Sequence, residues 1–200
     1  MNRHEPLLIL ASGSPRRREL LSLLNLPFEV RPSDADESTP QDWEPEKIVT
    51  ELALRKARAV IGEKMPENAI VIGSDTIVVL DGQVLGKPAN AEEAAGMLRR
   101  LSGRKHEVYT GLACIGVPEQ PARTLSGYSS ARVTMREISD SEIAAYIATG
   151  EPMDKAGSYA VQGLGAVFVE RVEGDYHAIV GLPVALLYRM LTRLGANALA

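Results

Sequence analysis

Short, continuous apolar runs alternate along the chain with longer segments in which apolar residues return every three or four positions. The run Leu7-Leu8-Ile9-Leu10-Ala11 has the length of a strand buried on both faces. Ser12-Gly13-Ser14-Pro15 then turns the chain into a helix predicted from about Arg16 to Leu24. Residues 31–44 are acidic and polar without a period and read as a loop. Pro45 opens a longer helix whose apolar positions include Ile48, Val49, Leu52, Ala53, Ala57 and Val60.

Beyond that helix the pattern turns β-prone. Ala69 to Gly73 and Thr76 to Leu80 form an almost continuous run, which Asp81-Gly82 folds back onto Gln83-Val84-Leu85 as a two-residue hairpin. Asn90-Ala91-Glu92-Glu93 resembles a capping box opening a helix that ends near Gly103. Strands are expected around 106–117 and 126–137, and Ser139-Asp140-Ser141-Glu142 gives a second capping signal before a helix ending at Gly150. After the glycine-rich stretch come a strand from Ala166 to Val172, a turn at Glu173-Gly174, a strand to Val180 and a last helix opened by Pro183. Hairpins mixed with crossovers predict an α/β fold whose sheet is mixed rather than purely parallel, in two lobes with a cleft between them.

With 200 residues, 45% hydrophobic and 24% charged, the chain has the length of one sizeable domain, or of one domain with two lobes. A formal net charge of -4 provides no global attraction for nucleic acid or an anionic membrane, so neither is expected as a partner. The single cysteine, Cys114, lies in the apolar run Leu112-Ala113-Cys114-Ile115 and reads as a buried structural thiol, which suits a reducing compartment. Met1-Asn2-Arg3-His4-Glu5-Pro6 leads into only five apolar residues, too few for a signal peptide or a membrane span, and a cytoplasmic location is expected. His4, His106 and His177 show no metal-ligand spacing, which leaves zinc chemistry unsupported.

Five features could carry chemistry. Ser12-Gly13-Ser14-Pro15-Arg16-Arg17-Arg18 places hydroxyls, amides and guanidiniums at a helix start, either to hold phosphate or merely with Ser14 as a cap and the arginines as surface. Lys56 falls on the apolar stripe of its own helix, so its ammonium either meets a structural carboxylate, snorkels to the edge of the sheet or binds an anionic ligand in a cleft. Asp75 interrupts a β run that is otherwise apolar, where a carboxylate is costly unless a charge or metal compensates it; it is the leading catalytic candidate. The two-residue turn would pair Leu80 with Gln83 and Thr76 with Lys87, bringing Lys87 beside Asp75 either as a plain ion pair or as an active-site edge. The loop Asp34-Ala35-Asp36-Glu37 is either simply solvated or, with Asp75, a source of oxygen ligands for Mg²⁺ or Mn²⁺.

Taken together, Leu10-Ala11-Ser12-Gly13-Ser14-Pro15-Arg16-Arg17, Gly73-Ser74-Asp75-Thr76, Gly86-Lys87-Pro88 and Asp154-Lys155-Ala156-Gly157-Ser158-Tyr159-Ala160-Val161-Gln162-Gly163 resemble the Maf family, with Val180-Gly181-Leu182-Pro183 as a further match. The resemblance spans nearly the whole chain. It implies a two-lobed α/β fold related to the inosine triphosphate pyrophosphatases, with an elongated mixed sheet, and metal-dependent hydrolysis of a nucleoside triphosphate between its α and β phosphates. Carried over by position, Asp75 matches the proton acceptor, Ser12, Arg17, Lys56 and Lys87 the substrate or phosphate contacts, and Glu37 with Asp75 the metal ligands. Arg16, Thr76 and Gln162 match the branch that prefers dTTP and UTP over one that prefers 7-methyl-GTP. A Gln162 amide both donates and accepts, as pyrimidine recognition requires, whereas a glutamate there only accepts.

Two other functions stay open at this level: a broader housecleaning pyrophosphatase acting on modified nucleotides, and a nucleotide-binding regulator of cell division in which hydrolysis is secondary. The oligomeric state is also open, with a homodimer among the options.

Overall fold

A computed structural model of the chain describes residues 6–62, 65–120 and 123–199; Met1–Glu5, including His4 and most of the segment considered above for a leader, lie outside them. Seven strands are found among the described residues: β1 (Leu8–Leu10), β2 (Phe28–Val30), β3 (Ile70–Leu80), β4 (Gln83–Leu85), β5 (Lys105–Gly116), β6 (Thr124–Met135) and β7 (Val169–Gly174). They pair in the order β2-β1-β3-β5-β6-β7, with β4 also on β3. The helices are α1 (Pro15–Ser22), α2 (Pro45–Ala59), α3 (Ala91–Leu101), α4 (Asp140–Ala148), α5 (Tyr176–Val180) and α6 (Val184–Arg193). The sheet is mixed, as expected: β1 runs parallel to β2 and β3, while β4 and β7 run antiparallel to β3 and β6. None of the described helices is long and apolar enough to cross a membrane.

The chain divides into two compact units. The first comprises the described residues of Met1–Asp75, Thr110–Ser129 and Gly181–Ala200. Its β1–α1–β2 crossover explains the short apolar run at 8–10, which is fully buried. Here α2 lies almost directly on strand backbone. A Cβ at Gly73 of β3 would come within 2.1 Å of the Ala53 carbonyl oxygen, and one at Gly111 of β5 within 2.0 Å of that of Val49. Small residues complete the contact, with Ala53, Ala57, Ala69 and Ala113 buried around Ile9, Val71 and Ile115. Cys114 is buried too, and burial pushes its thiol well above its ordinary pKa, in keeping with a structural role.

The second unit, Thr76–Tyr109 and Ser130–Val180, begins with the β3–β4 hairpin. Asp81 and Gly82 both have positive φ (51° and 75°), the signature of a type I′ turn, and the register Leu80↔Gln83, Val79↔Val84, Val78↔Leu85 is the one the sequence predicts. The ladder stops there, so the expected Thr76–Lys87 pair does not form. The Gly86 carbonyl instead accepts the N–H of Gly157 (3.0 Å), drawing the chain out of the ladder. Both capping signals are realised at their first residue. Asn90 accepts the Glu93 N–H (2.9 Å), and Ser139 with Glu142 forms a reciprocal capping box. The last third departs from expectation: 164–168 is a 3₁₀ turn, β7 starts at Val169, and 176–180 is the helix α5 rather than a strand. Asp175 decides this by accepting the His177 and Ala178 N–H groups (2.9 and 3.2 Å), starting a helical turn.

Candidate active site

Asp75 is buried, with 6% of its surface exposed, although it carries a carboxylate. The cation it meets is Lys56, whose Nζ lies 2.5 Å from Oδ1 and whose side chain is only 12% exposed. The contact follows from local sequence. Gly73 seats α2 against β3, and Lys56, four residues after the buried Leu52, leaves the helix on the sheet side. Glu37 Oε1 reaches the same ammonium from the solvent side at 2.7 Å.

Glu37 is brought there by its loop. Arg55, next to Lys56 on α2, donates to the Ser38 carbonyl (2.7 Å), tying the acidic segment to the helix. Asp36 is turned to local use, accepting the Ser38 N–H and hydroxyl (2.9 and 2.7 Å), bonds that hold its carboxyl below the usual range.

The start of α1 supplies the positive side. Ser14 is the N-cap yet makes no side-chain cap bond, and the first turn carries no acid. The capping role considered for it is therefore absent, and the helix end remains suited to an anion. Ser12 is buried and its Oγ accepts from the Ser14 N–H (3.3 Å) and from Arg17 Nη1 (3.2 Å). Arg17 also donates from Nε to the Gly181 carbonyl (2.9 Å). Burial lowers the Arg17 pKa, Asp75 and Glu37 oppose that, and neighbouring Arg16 adds to it. Arg17 thus sits in the same electrostatic field as the two carboxylates.

Two participants carry no obvious sequence signal of their own. The fully buried Ser74 hydroxyl points toward the carbonyls of Gly111 and Gly181, each 2.9 Å away. Gly181 thereby anchors both Ser74 and Arg17. The Gly73-Ser74-Asp75-Thr76 and Val180-Gly181-Leu182-Pro183 matches were the hints available, and they could be used only as a family likeness.

The structure therefore brings Ser12, Arg17, Glu37, Lys56 and Asp75 together in the first unit. Arg16 is half-buried beside Arg17. Thr76 is half-buried on β3, while Lys87 and Gln162 are exposed residues of the second unit. No group of three or more His, Cys, Asp or Glu suited to a metal occurs among the described residues. The donor set at Lys56 is two carboxylates, Glu37 and Asp75. That number fits Mg²⁺ or Mn²⁺, hard ions commonly held by one or two carboxylates with substrate phosphates and water completing the shell.

The protein is 50% identical over 190 residues, 95% of this chain and 96% of the other, to a dTTP/UTP pyrophosphatase of Bacillus cytotoxicus. It is likewise 50% identical to proteins of the same description from Caldanaerobacter subterraneus (93% of this chain, 88% of the other) and Pelotomaculum thermopropionicum (96% and 98%). Among solved structures, the Staphylococcus aureus Ham1 protein matches with a TM-score of 0.46 at 15% identity over 64% of this chain and 71% of that one, too distant a likeness to bear on function. The family model described as Maf-like protein matches residues 7–194, which with these relatives establishes that the chain belongs to the Maf family.

Proposed function

We propose that this protein is a nucleoside triphosphate pyrophosphatase that hydrolyses dTTP and UTP to the monophosphate and pyrophosphate, acting on the cytoplasmic nucleotide pool. The observation that carries this reading is the buried Asp75 carboxylate held at 2.5 Å by Lys56, with Arg17 and the uncapped start of α1 in the same unit. Relatives at 50% identity that carry the name dTTP/UTP pyrophosphatase support the substrate class.

In this proposal Asp75 orients a water and takes its proton as the water attacks phosphorus in line. Lys56 fixes the direction of the carboxylate, since its ammonium holds Oδ1 from one side and Glu37 holds the ammonium from the other. Arg17, Ser12 and Lys87 hold phosphate oxygens, which places positive charge where negative charge accumulates as pyrophosphate leaves. A divalent cation, Mg²⁺ or Mn²⁺, held by Glu37 and Asp75 would neutralise further phosphate charge. Arg16, Thr76 and Gln162 are retained as the positions that select the base.

The test is pyrophosphate release from dTTP, UTP, CTP, GTP and 7-methyl-GTP with Mg²⁺ or Mn²⁺, for wild type and Asp75→Asn. Metal-dependent turnover of dTTP and UTP, reduced by about 10²–10⁴ in the variant, is expected if a general base is lost. Absence of turnover with every nucleotide, or an Asp75→Asn protein as active as wild type, sinks the proposal. The same variant should still bind dTTP, which separates hydrolysis from a purely regulatory binding role.

A further inference from the structure

Gln162 is exposed and makes no hydrogen bond to a described residue, but the loop that carries it is fastened from beneath. Glu151 Oε2 accepts the Leu164 N–H (3.0 Å) and Oε1 accepts the Gly165 N–H (2.9 Å). Tyr146 of α4 donates its hydroxyl to Glu151 Oε1 (2.8 Å) and accepts the Ala160 N–H (3.2 Å). Three backbone amides are thus held by two side chains, one amide before Gln162 and two after it.

The backbone is shaped to let those groups in. Gly163 has φ 101°, and a Cβ there would lie 2.6 Å from Glu151 Oε2. A Cβ at Gly165 would lie 2.6 Å from both the Tyr146 hydroxyl and the Ala160 carbonyl oxygen. Tyr146 is itself fixed, 4% exposed, with its ring edge-on to Phe168 at 5.1 Å. Burial disfavours charge on Glu151, yet the bonds from the Gly165 and Leu164 amides and from Tyr146 outweigh it and hold the carboxyl below its ordinary range. Neither side chain has a part in the proposed hydrolysis.

The chemistry of the glutamine gives this fastening a purpose. One orientation of its amide, donating with NH₂ and accepting with the carbonyl, matches the O4 and N3–H edge of thymine or uracil. The same amide turned over matches the N4–H₂ and N3 edge of cytosine. Residue type at 162 therefore does not by itself choose between these bases; the frame from which the side chain extends must do so. We propose that Glu151 and Tyr146 are positioning residues that set the preference for thymine and uracil over cytosine by holding the 160–165 loop in one conformation, an inference that rests on Gln162 reading the base as proposed above.

The experiment compares wild type, Glu151→Gln, Tyr146→Phe and Gln162→Ala, measuring kcat and KM for dTTP, UTP and CTP together with backbone amide hydrogen exchange over 160–165. Tyr146→Phe keeps the ring packing and removes only the hydroxyl, so it serves where Glu151→Gln folds poorly. Faster exchange at Ala160, Leu164 and Gly165 is expected in both. The ratio of kcat/KM for dTTP to that for CTP should fall about tenfold, mainly through KM for dTTP, with kcat within about twofold of wild type. Faster exchange with an unchanged ratio overturns the proposal, as does an equal loss on dTTP and CTP, which marks a merely structural role. If Gln162→Ala loses discrimination while Glu151→Gln and Tyr146→Phe keep it, positioning alone fails. If Gln162→Ala keeps wild-type discrimination, base reading by Gln162 fails and the positioning inference goes with it.

Discussion

Replacing Gly73 with alanine puts a methyl group where the structure has helix backbone. The new Cβ would stand 2.1 Å from the Ala53 carbonyl oxygen, 2.8 Å from Ala57 N and 3.0 Å from Ala57 Cβ. An unstrained carbon–oxygen contact needs roughly 3.3 Å, so α2 must retreat from β3 by about 1 Å. Overpacking of this kind costs about 1–3 kcal/mol. For a chain of this length each kcal/mol lowers Tm by about 2–4 °C, giving a fall of about 2–12 °C and a protein that still folds at room temperature. The functional cost should be larger, because α2 also carries Lys56, whose bond to Asp75 is 2.5 Å long. Misplacement of a catalytic group by about 1 Å is enough for a loss near 10²-fold.

The assay is kcat/KM for dTTP at 25 °C beside a thermal melt. Gly96→Ala is the control: it lies inside α3 with nothing within 4 Å of its would-be Cβ. It should gain about 0.5–1 kcal/mol and keep full activity. A Gly73→Ala protein that melts lower but retains kcat/KM within about threefold of wild type would show that helix–strand spacing does not set the Lys56–Asp75 geometry.

Other outcomes follow from single features. Burial holds the His106 pKa down at about 4 against an ordinary 6.5, so the unfolded chain takes up a proton first as pH falls. Its contribution to stability is therefore complete above pH 6.5 and declines toward pH 4, by about 3 kcal/mol in all. Denaturant melts between pH 6.5 and 5 should show this slope in wild type and a flatter one in His106→Phe; equal slopes refute it. Ser139→Ala removes the α4 capping box and should cost about 1 kcal/mol by urea unfolding without changing kcat/KM. Chelation should abolish dTTP turnover and added Mg²⁺ or Mn²⁺ restore it, while Glu37→Gln should raise the half-saturating metal concentration about tenfold. An unchanged metal requirement in Glu37→Gln removes that residue from the metal proposal.

Where a residue's surroundings are set by its own element, the sequence was sufficient. Lys56 on an apolar stripe implied an inward ammonium, and its side chain is indeed 12% exposed. Asp81-Gly82 implied a hairpin register, and that register is observed. What escaped depends on contacts distant in sequence or on a single polar group. The hairpin ends early because Gly157 claims the Gly86 carbonyl, some seventy residues away. Tyr176-His177-Ala178-Ile179-Val180 suits either strand or helix by composition, and one Asp175 carboxylate oxygen settles it. In the acidic loop, composition could not say which carboxylate matters. Asp36 satisfies Ser38, and Arg55 swings the segment so that Glu37 meets Lys56.

The order Gly73-Ser74-Asp75 follows from strand alternation combined with the position of α2. Side chains two apart share a face, so Gly73 and Asp75 both look toward the helix and Ser74 looks away. Position 73 must then lack a side chain, because the Ala53 carbonyl occupies its space. Position 75, two residues along the same strand face, meets Lys56 from that same turn of α2 and can hold a carboxylate without an isolated buried charge. Position 74 faces the Gly111 and Gly181 carbonyls, two acceptors that suit a hydroxyl and would repel a carboxylate. Exchanging Ser74 and Asp75 would therefore keep the composition of the strand while setting a negative charge against two carbonyl dipoles and leaving Lys56 opposite a serine. The acid belongs at 75 because the helix that brings its cation can approach the strand only where 73 is glycine.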